Sequence, residues 1–148
     1  MTPELPEINL MFFPKNEKWD WYPIRRGPLT INPGKKEVIW DQEGAGWLFW
    51  ALFWANSPDL TLLLDLRADR SVELSIDYKT LYTIGFLSLG QGYFCLSKYS
   101  DTEKNYVAAY APIGLGVPFK RRIKCTLVNP TTSPITVKLI QAWIILLD

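Results

Sequence analysis

Length, composition and charge exclude several classes of protein before any motif is considered. The 148-residue chain fits one domain, and its 48% hydrophobic content supplies a full core that needs neither a disulfide framework nor a metal. The chain has 16 lysines and arginines against 15 aspartates and glutamates, which gives a net charge of +1. This balance argues against nucleic acid as a partner, because a protein that binds phosphates normally has an excess of basic residues.

Residues 1–34 are predicted to form an extended N-terminal arm. Six of the 11 prolines lie in the first 33 residues, where each fixes φ and removes a backbone donor, so neither a helix nor a central strand is expected there. The arm also carries aromatic side chains that are costly to leave in water. They are predicted to pack on the chain's own domain or on a neighbouring subunit, and they include Phe12, Phe13, Trp19, Trp21 and Tyr22.

From residue 35 onward, strands are predicted to alternate with turns rich in Gly, Pro, Asn, Asp and Ser. The eight predicted strands cover residues 36–41, 46–56, 60–67, 72–77, 92–99, 105–111, 117–128 and 134–147. The third and fourth strands are joined by a short turn and predict a β-hairpin. Residues 78–84 predict a short helical turn that is ended by Gly85.

Short strands with almost no helical signal predict an all-β fold, namely an antiparallel two-sheet sandwich of jelly-roll-like type. The predicted organisation is an arm over residues 1–34 followed by a sandwich domain over residues 35–148. The first residues lack a basic region followed by an apolar run, so no signal peptide is expected. The longest apolar run, residues 45–55, is shorter than the about 20 residues that a bilayer requires, so no membrane partner is expected.

Two predicted strands carry apolar side chains on both faces. In residues 46–56, simple alternation opposes the set Trp47, Phe49, Ala51, Phe53 and Ala55 to the set Leu48, Trp50, Leu52 and Trp54. The last strand opposes Leu139, Trp143, Ile145 and Leu147 to Ile140, Ala142, Ile144 and Leu146. An antiparallel sheet with one wet face is polar on one set, so both outer faces are predicted to be covered by the arm or by another subunit. Trp50 and Trp54 are the candidate interface residues of these strands.

The residue types that carry most enzyme chemistry are absent or scattered. The chain has no histidine, which removes the commonest general base and the commonest zinc ligand. Cys95 and Cys125 lie in apolar strands and predict buried thiols, with a disulfide between them left open. Three carboxylates could in principle support hydrolysis, but alternation places Asp65, Glu73 and Asp77 on solvent-facing sides of strands. We therefore expect no enzyme activity, no cofactor and no metal.

Residues 120–124 form the strongest local charge feature. Alternation within one long strand would send Lys120, Arg122 and Lys124 to one face and Arg121 to the other. Two interpretations are open, an ordinary solvated face and a basic contact patch for an acidic protein or, more weakly, for nucleic acid.

A resemblance follows from these features taken together. An aromatic, proline-broken arm precedes a compact sandwich, which ends in the strand pair PFKRRIKCTLVNP and ITVKL within residues 118–139. This arrangement resembles the small β-sandwich structural proteins of tailed bacteriophages, particularly capsid decoration (cement) proteins. The resemblance implies a homo-oligomer, with a trimer favoured, that binds the major capsid protein or another virion protein. Such a protein would lie on the capsid surface and stabilise the assembled shell by mass action.

A carbohydrate- or receptor-binding module is the alternative function. Sugars stack on exposed aromatic rings, and the chain has seven Trp and seven Tyr. The tryptophans of residues 46–56 sit among Leu and Phe, which favours packing. Trp19, Trp21 and Tyr22 are flanked by charged residues and are the better candidates for a sugar site.

Overall fold

A computed structural model describes residues 19–67, 71–86, 94–110 and 117–147. These residues form an all-β sandwich, as the sequence predicts, in which two antiparallel sheets pack face to face and one short helix, α1 (Tyr78–Ile84), is added. The strands are β1 (Trp19–Arg26), β2 (Leu29–Ile31), β3 (Lys36–Glu43), β4 (Gly46–Ala55), β5 (Thr61–Arg67), β6 (Ser71–Asp77), β7 (Phe94–Ser100), β8 (Asn105–Tyr110), β9 (Val117–Phe119), β10 (Arg122–Val128) and β11 (Ile135–Leu147).

The two sheets differ in size. The seven-stranded sheet has the order β1-β11-β4-β8-β7, with β2 also pairing with β11 and β9 with β4. The four-stranded sheet has the order β3-β10-β5-β6, in which β5 and β6 form the predicted hairpin. Except where a register shift interrupts a strand, alternate residues face inward. The core between the sheets is lined by large apolar side chains such as Leu48, Phe53, Leu62, Ile123, Leu127 and Ile140.

Helix α1 closes one end of the sandwich where the sequence predicts a helical turn. The carboxylate of Asp77 caps it by accepting a hydrogen bond from the Thr80 backbone N–H at 2.7 Å. The helix ends at Gly85, whose φ of 86° is left-handed and suits glycine. Tyr78 anchors the helix in the core, where its buried hydroxyl donates to the carbonyl of Phe53 at 2.9 Å.

The boundary predicted at residue 34 needs a correction. Strand β1 pairs with β11 along its whole length, from Trp19 opposite Leu147 to Arg26 opposite Ile140, and β2 continues on the same strand. Residues 19–31 therefore belong to the sandwich rather than to a separate arm. Proline is tolerated in β1 because this strand lies at the sheet edge, where one row of backbone donors needs no partner.

The strand predicted over residues 117–128 is two strands. Strand β9 pairs with β4 in the seven-stranded sheet, whereas β10 pairs with β3 and β5 in the four-stranded sheet. The chain crosses between the sheets at Lys120 and Arg121, which are both exposed. The alternation predicted for the basic cluster is therefore wrong at this point, and Arg121 does not share a strand with Phe119.

Asn129 is a fully buried polar residue that joins the turn between β10 and β11 to the end of β2. Its amide nitrogen donates to the carbonyls of Ile31 and Ser133, both at 2.8 Å. Its side-chain oxygen accepts from the backbone N–H and the hydroxyl of Thr131, at 2.9 and 2.6 Å. Because every polar atom of this side chain has a partner, Asn129 fixes the turn between β10 and β11 against β2.

We expect Asn129→Asp to lower the free energy of unfolding by about 3 kcal/mol, since a buried carboxylate would face two carbonyls that need a donor. The matched control is Asn32→Asp, an identical change at an exposed position, which should cost less than about 0.5 kcal/mol. Urea unfolding of both variants provides the measurement. Equal losses in the two variants would contradict the role assigned to Asn129.

Candidate interaction surface

A β-bulge interrupts the pairing of β4 with β11. Trp50 lies opposite Trp143, but Leu48 lies opposite Ile144, so Phe49 is an extra residue in β4. An extra residue shifts the alternation of side chains by one position. Side chains before the bulge therefore point to the face opposite to the one that simple alternation predicts.

The bulge gathers three tryptophans on one face of β4. Leu48 and Ala51, which simple alternation places on opposite faces, both lie in the core. Trp47 consequently moves from the face predicted for it to the outer face, where it joins Trp50 and Trp54. Sequence alternation is thus wrong for Trp47 and Leu48, and right in grouping Trp50 with Trp54.

The outer face of the seven-stranded sheet is broadly apolar, and we call it the tryptophan face. Directly opposed residues of an antiparallel pair project to the same face, so the strand register identifies its members. Its apolar members are Trp47, Trp50, Leu52 and Trp54 of β4, Leu139, Trp143 and Ile145 of β11, Val107 and Ala109 of β8, and Cys95 of β7. The same register adds three polar residues, Gln141 opposite Leu52, Arg25 opposite Gln141, and Lys98 opposite Val107. Cys95, Ala109 and Ile145 are buried within the chain, and the other apolar members except Trp143 are half-buried. Trp143 is the most open of these tryptophans, with 45% of its surface exposed.

A polar network borders the tryptophan face at Trp54. The indole nitrogen of Trp54 donates to the side-chain oxygen of Asn105 at 3.1 Å, and the ammonium of Lys138 donates to the same oxygen at 2.6 Å. The Lys138 ammonium also lies 5.1 Å from the centre of the Trp54 ring. Beside them, the hydrogen bond from Lys98 lowers the pKa of Glu103, which stays ionised. An apolar centre with a polar rim is the usual anatomy of a protein interface.

The outer face of the four-stranded sheet is charged instead. Arg122 makes two hydrogen bonds to the carboxylate of Asp41, and this contact raises the pKa of the guanidinium. Lys124 lies opposite Asp41 in β3 and opposite Asp65 in β5. Lys120, the third residue of the predicted basic patch, is exposed at the crossing between the sheets. The basic residues thus share their surface with carboxylates, which makes this face one of mixed charge.

The structure brings some of the predicted interface residues together and separates others. Trp50 and Trp54 lie on the tryptophan face, whereas Tyr22 lies opposite Ile144, on the inner side of the edge strand. Trp19 and Trp21 belong to β1, in register with Leu147 and Ile145. Phe12 and Phe13 lie outside the described residues.

Trp143 is the interface candidate that the sequence did not single out. The sequence pattern marks its strand as apolar on both faces, but its place beside Trp50 depends on the pairing of strands that are far apart in the chain. The one sequence signal that points to Trp143 is that its strand, β11, carries apolar residues on both faces.

The cysteines and carboxylates that the sequence analysis considers take structural positions. Cys95 and Cys125 are free, buried thiols, and burial raises the pKa of both. The carboxylate of Asp77 is the helix cap described above. Within the described ranges, no three His, Cys, Asp or Glu side chains are grouped closely enough to bind a metal ion.

Helix α1 is far shorter than a membrane span, and the described residues contain no helix long and apolar enough to cross a bilayer. In comparisons with known proteins, neither a family model nor a curated protein matches the sequence.

Proposed function

We propose that the chain is a non-enzymatic assembly protein that associates with other protein surfaces through the tryptophan face. The observation that carries this proposal is the contrast between the two outer faces of one sandwich. One is apolar and rich in tryptophan, and the other carries paired charges. Trp143 is 45% exposed and its neighbouring tryptophans are half-buried, and apolar surface of this kind on a folded protein favours association, because leaving it in water is costly.

The arrangement of the tryptophans supports self-association with a free energy of several kcal/mol. Trp143 and Trp50 are directly opposed across two strands and form the centre of the face. Aromatic burial at roughly 25 cal/mol per Å² stabilises an interface by several kcal/mol when a few rings are covered. Tryptophans at the centre of an apolar patch are also the residues that most often dominate binding energy.

The finer proposal is that the oligomer, a trimer by preference, decorates the outside of an assembled bacteriophage capsid. The all-β sandwich and the resemblance to decoration proteins support it. Binding only the assembled shell would stabilise that state by mass action, without any reaction. Self-association through the tryptophan face would leave the charged face of the four-stranded sheet in water.

Trp143→Arg should weaken self-association by about 30-fold or more, because a charge would be placed at the centre of an apolar contact. Val38→Arg is the matched control, since Val38 is exposed to a similar extent, 44% against 45%, but lies on the other sheet. Light scattering over a concentration series measures the mass of each protein. A wild-type monomer at all concentrations, or equal masses for the two variants, would refute self-association through this face.

Removal of residues 1–18 tests the predicted role of the arm aromatics Phe12 and Phe13 in assembly. The deletion stops before Trp19 because β1 and β2 are parts of the seven-stranded sheet. We expect a folded protein with an unchanged circular dichroism spectrum and a smaller mass in light scattering. An oligomer of unaltered mass and stability would show that the arm takes no part in assembly.

The capsid proposal predicts that antibody to this protein labels the shell of purified virions in immunogold electron microscopy. Labelling of the capsid surface supports decoration. Labelling confined to the tail, or particles that carry no label, would limit the proposal to an assembly protein that acts elsewhere.

A further inference from the structure

The tryptophan face is not uniform along its strands. At one end Trp47 lies opposite Ile145, and next to this pair Trp50 lies opposite Trp143. This half of the face is built from directly opposed pairs of large apolar residues, and we call it the apolar end.

Three basic residues border the other half, near Trp54, and we call it the basic end. Lys98 of β7 and Trp54 of β4 flank the same residue of β8 in the strand register. The Lys138 ammonium lies 5.1 Å from the centre of the Trp54 ring. Arg25 of β1 is exposed and lies opposite Gln141 in the middle of β11. A partner with negative charge at the matching position would complement this end.

The ammonium groups of the basic end keep donors for a partner. An ammonium carries three N–H donors. Within the described residues, Lys98 donates a hydrogen bond to Glu103 at 2.8 Å, and Lys138 donates one to Asn105 at 2.6 Å. The Lys98 side chain is 48% exposed. Because Arg25 adds a third positive charge against the one carboxylate of Glu103, this network has an excess of positive charge.

The chain itself contains a segment with the complementary pattern. Residues 4–13, ELPEINLMFF, include two glutamates within the first four positions and no lysine or arginine. The last six positions, residues 8–13, hold five apolar side chains and one asparagine. An acidic part followed by an apolar part matches the basic and apolar ends of the tryptophan face.

The segment is long enough to cover this face. Trp47 and Trp54 are seven positions apart in β4, which corresponds to about 23 Å at roughly 3.3 Å per residue. Ten residues in extended conformation reach about 33 Å, so residues 4–13 can span both ends of the face. Residues 14–18 then connect the segment to Trp19, the first residue of the edge strand β1.

The start of β1 directs the preceding chain away from its own sheet. Trp19 lies opposite Leu147, the last residue of β11, so the direction of β1, followed backwards, leads out of the sheet at this corner. Pro14 has a fixed φ, and the residue before a proline is biased toward an extended conformation. This connection favours a neighbouring copy beyond the corner over a reversal onto the same copy.

We propose that residues 4–13 of one copy bind the tryptophan face of a neighbouring copy. The apolar side chains of residues 8–13 cover the apolar end, and Glu4 and Glu7 bind at the basic end. The proposal rests on the proposed self-association and specifies its contact. Because the segment and the face are different surfaces, the contact is heterologous, and its repetition about a rotation axis closes a ring such as a trimer.

The first test reverses charges in the full chain and measures mass by light scattering over a concentration series. The double variant Glu4→Lys/Glu7→Lys should weaken self-association about tenfold, because it places like charges together at the basic end. Lys98→Glu/Lys138→Glu should weaken it similarly. An equimolar mixture of the two double variants should restore association, because each segment then meets a face of opposite charge on the other protein.

The matched control replaces the face variant by Lys35→Glu/Lys36→Glu, which reverses two exposed lysines at the start of β3, in the other sheet. A mixture of this control with Glu4→Lys/Glu7→Lys should not restore association of the segment variant with itself or with the control. An unchanged circular dichroism spectrum verifies that each variant is folded.

The second test distinguishes a neighbouring copy from the same copy by cysteine cross-linking in the full chain. Asn9→Cys combined with Gln141→Cys should form disulfides between copies on oxidation, seen as species of twice the chain mass or more in non-reducing electrophoresis. Either single variant is the control, since Cys95 and Cys125 are buried.

Three results would overturn the proposal. The first is wild-type self-association that Trp143→Arg weakens but Glu4→Lys/Glu7→Lys leaves unchanged, which would keep the assembly proposal and remove the segment from it. The second is a mixture of the two charge variants that associates no better than either alone. The third is a disulfide formed only within one copy, which would place the segment on its own face.

Discussion

The pairing of β4 with β11 is the contact on which the rest of the sandwich depends. β11 is the longest strand of the described residues and pairs with β1, β2 and β4, so it joins β1 and β2 to the middle of the seven-stranded sheet. The inner side of this pair supplies core residues such as Phe53 and Ile140, and its outer side supplies Trp50 and Trp143. The two backbones approach so closely at Gly46 that a Cβ atom there would clash with the carbonyl oxygen of Ile145, so this position requires glycine.

Elements with local signals could be predicted from the sequence, whereas changes of sheet or register could not. The helix over residues 78–84 was predictable because Gly85 ends it. The crossing at Lys120 and Arg121 was hidden because Phe119 and Ile123 both point into the core whether the strand is continuous or broken. Both faces of β4 are apolar, so no polar residue marked the shift in alternation at the bulge.

The residues of the candidate site likewise divide into those that a local sequence pattern predicts and those that depend on strand pairing. Trp50 and Trp54 could be proposed as interface residues because they alternate within one strand. Trp143 becomes an interface candidate because it lies opposite Trp50, which is 93 positions (143 minus 50) earlier in the chain. Only the pairing of the two strands shows that these residues are neighbours.

The position of the outermost residues of β1 and β11 has a mechanical consequence. Trp19 lies opposite Leu147, so the chain enters and leaves the seven-stranded sheet at the same corner. The hydrogen bonds between antiparallel strands are perpendicular to them. A pulling force applied at these two positions would therefore load the bonds one after another, beginning with the pair at the corner. The strand pair would then unzip, and the force needed would be low. Tension applied along β11 alone would load many hydrogen bonds in shear at the same time, so the unfolding force would be higher.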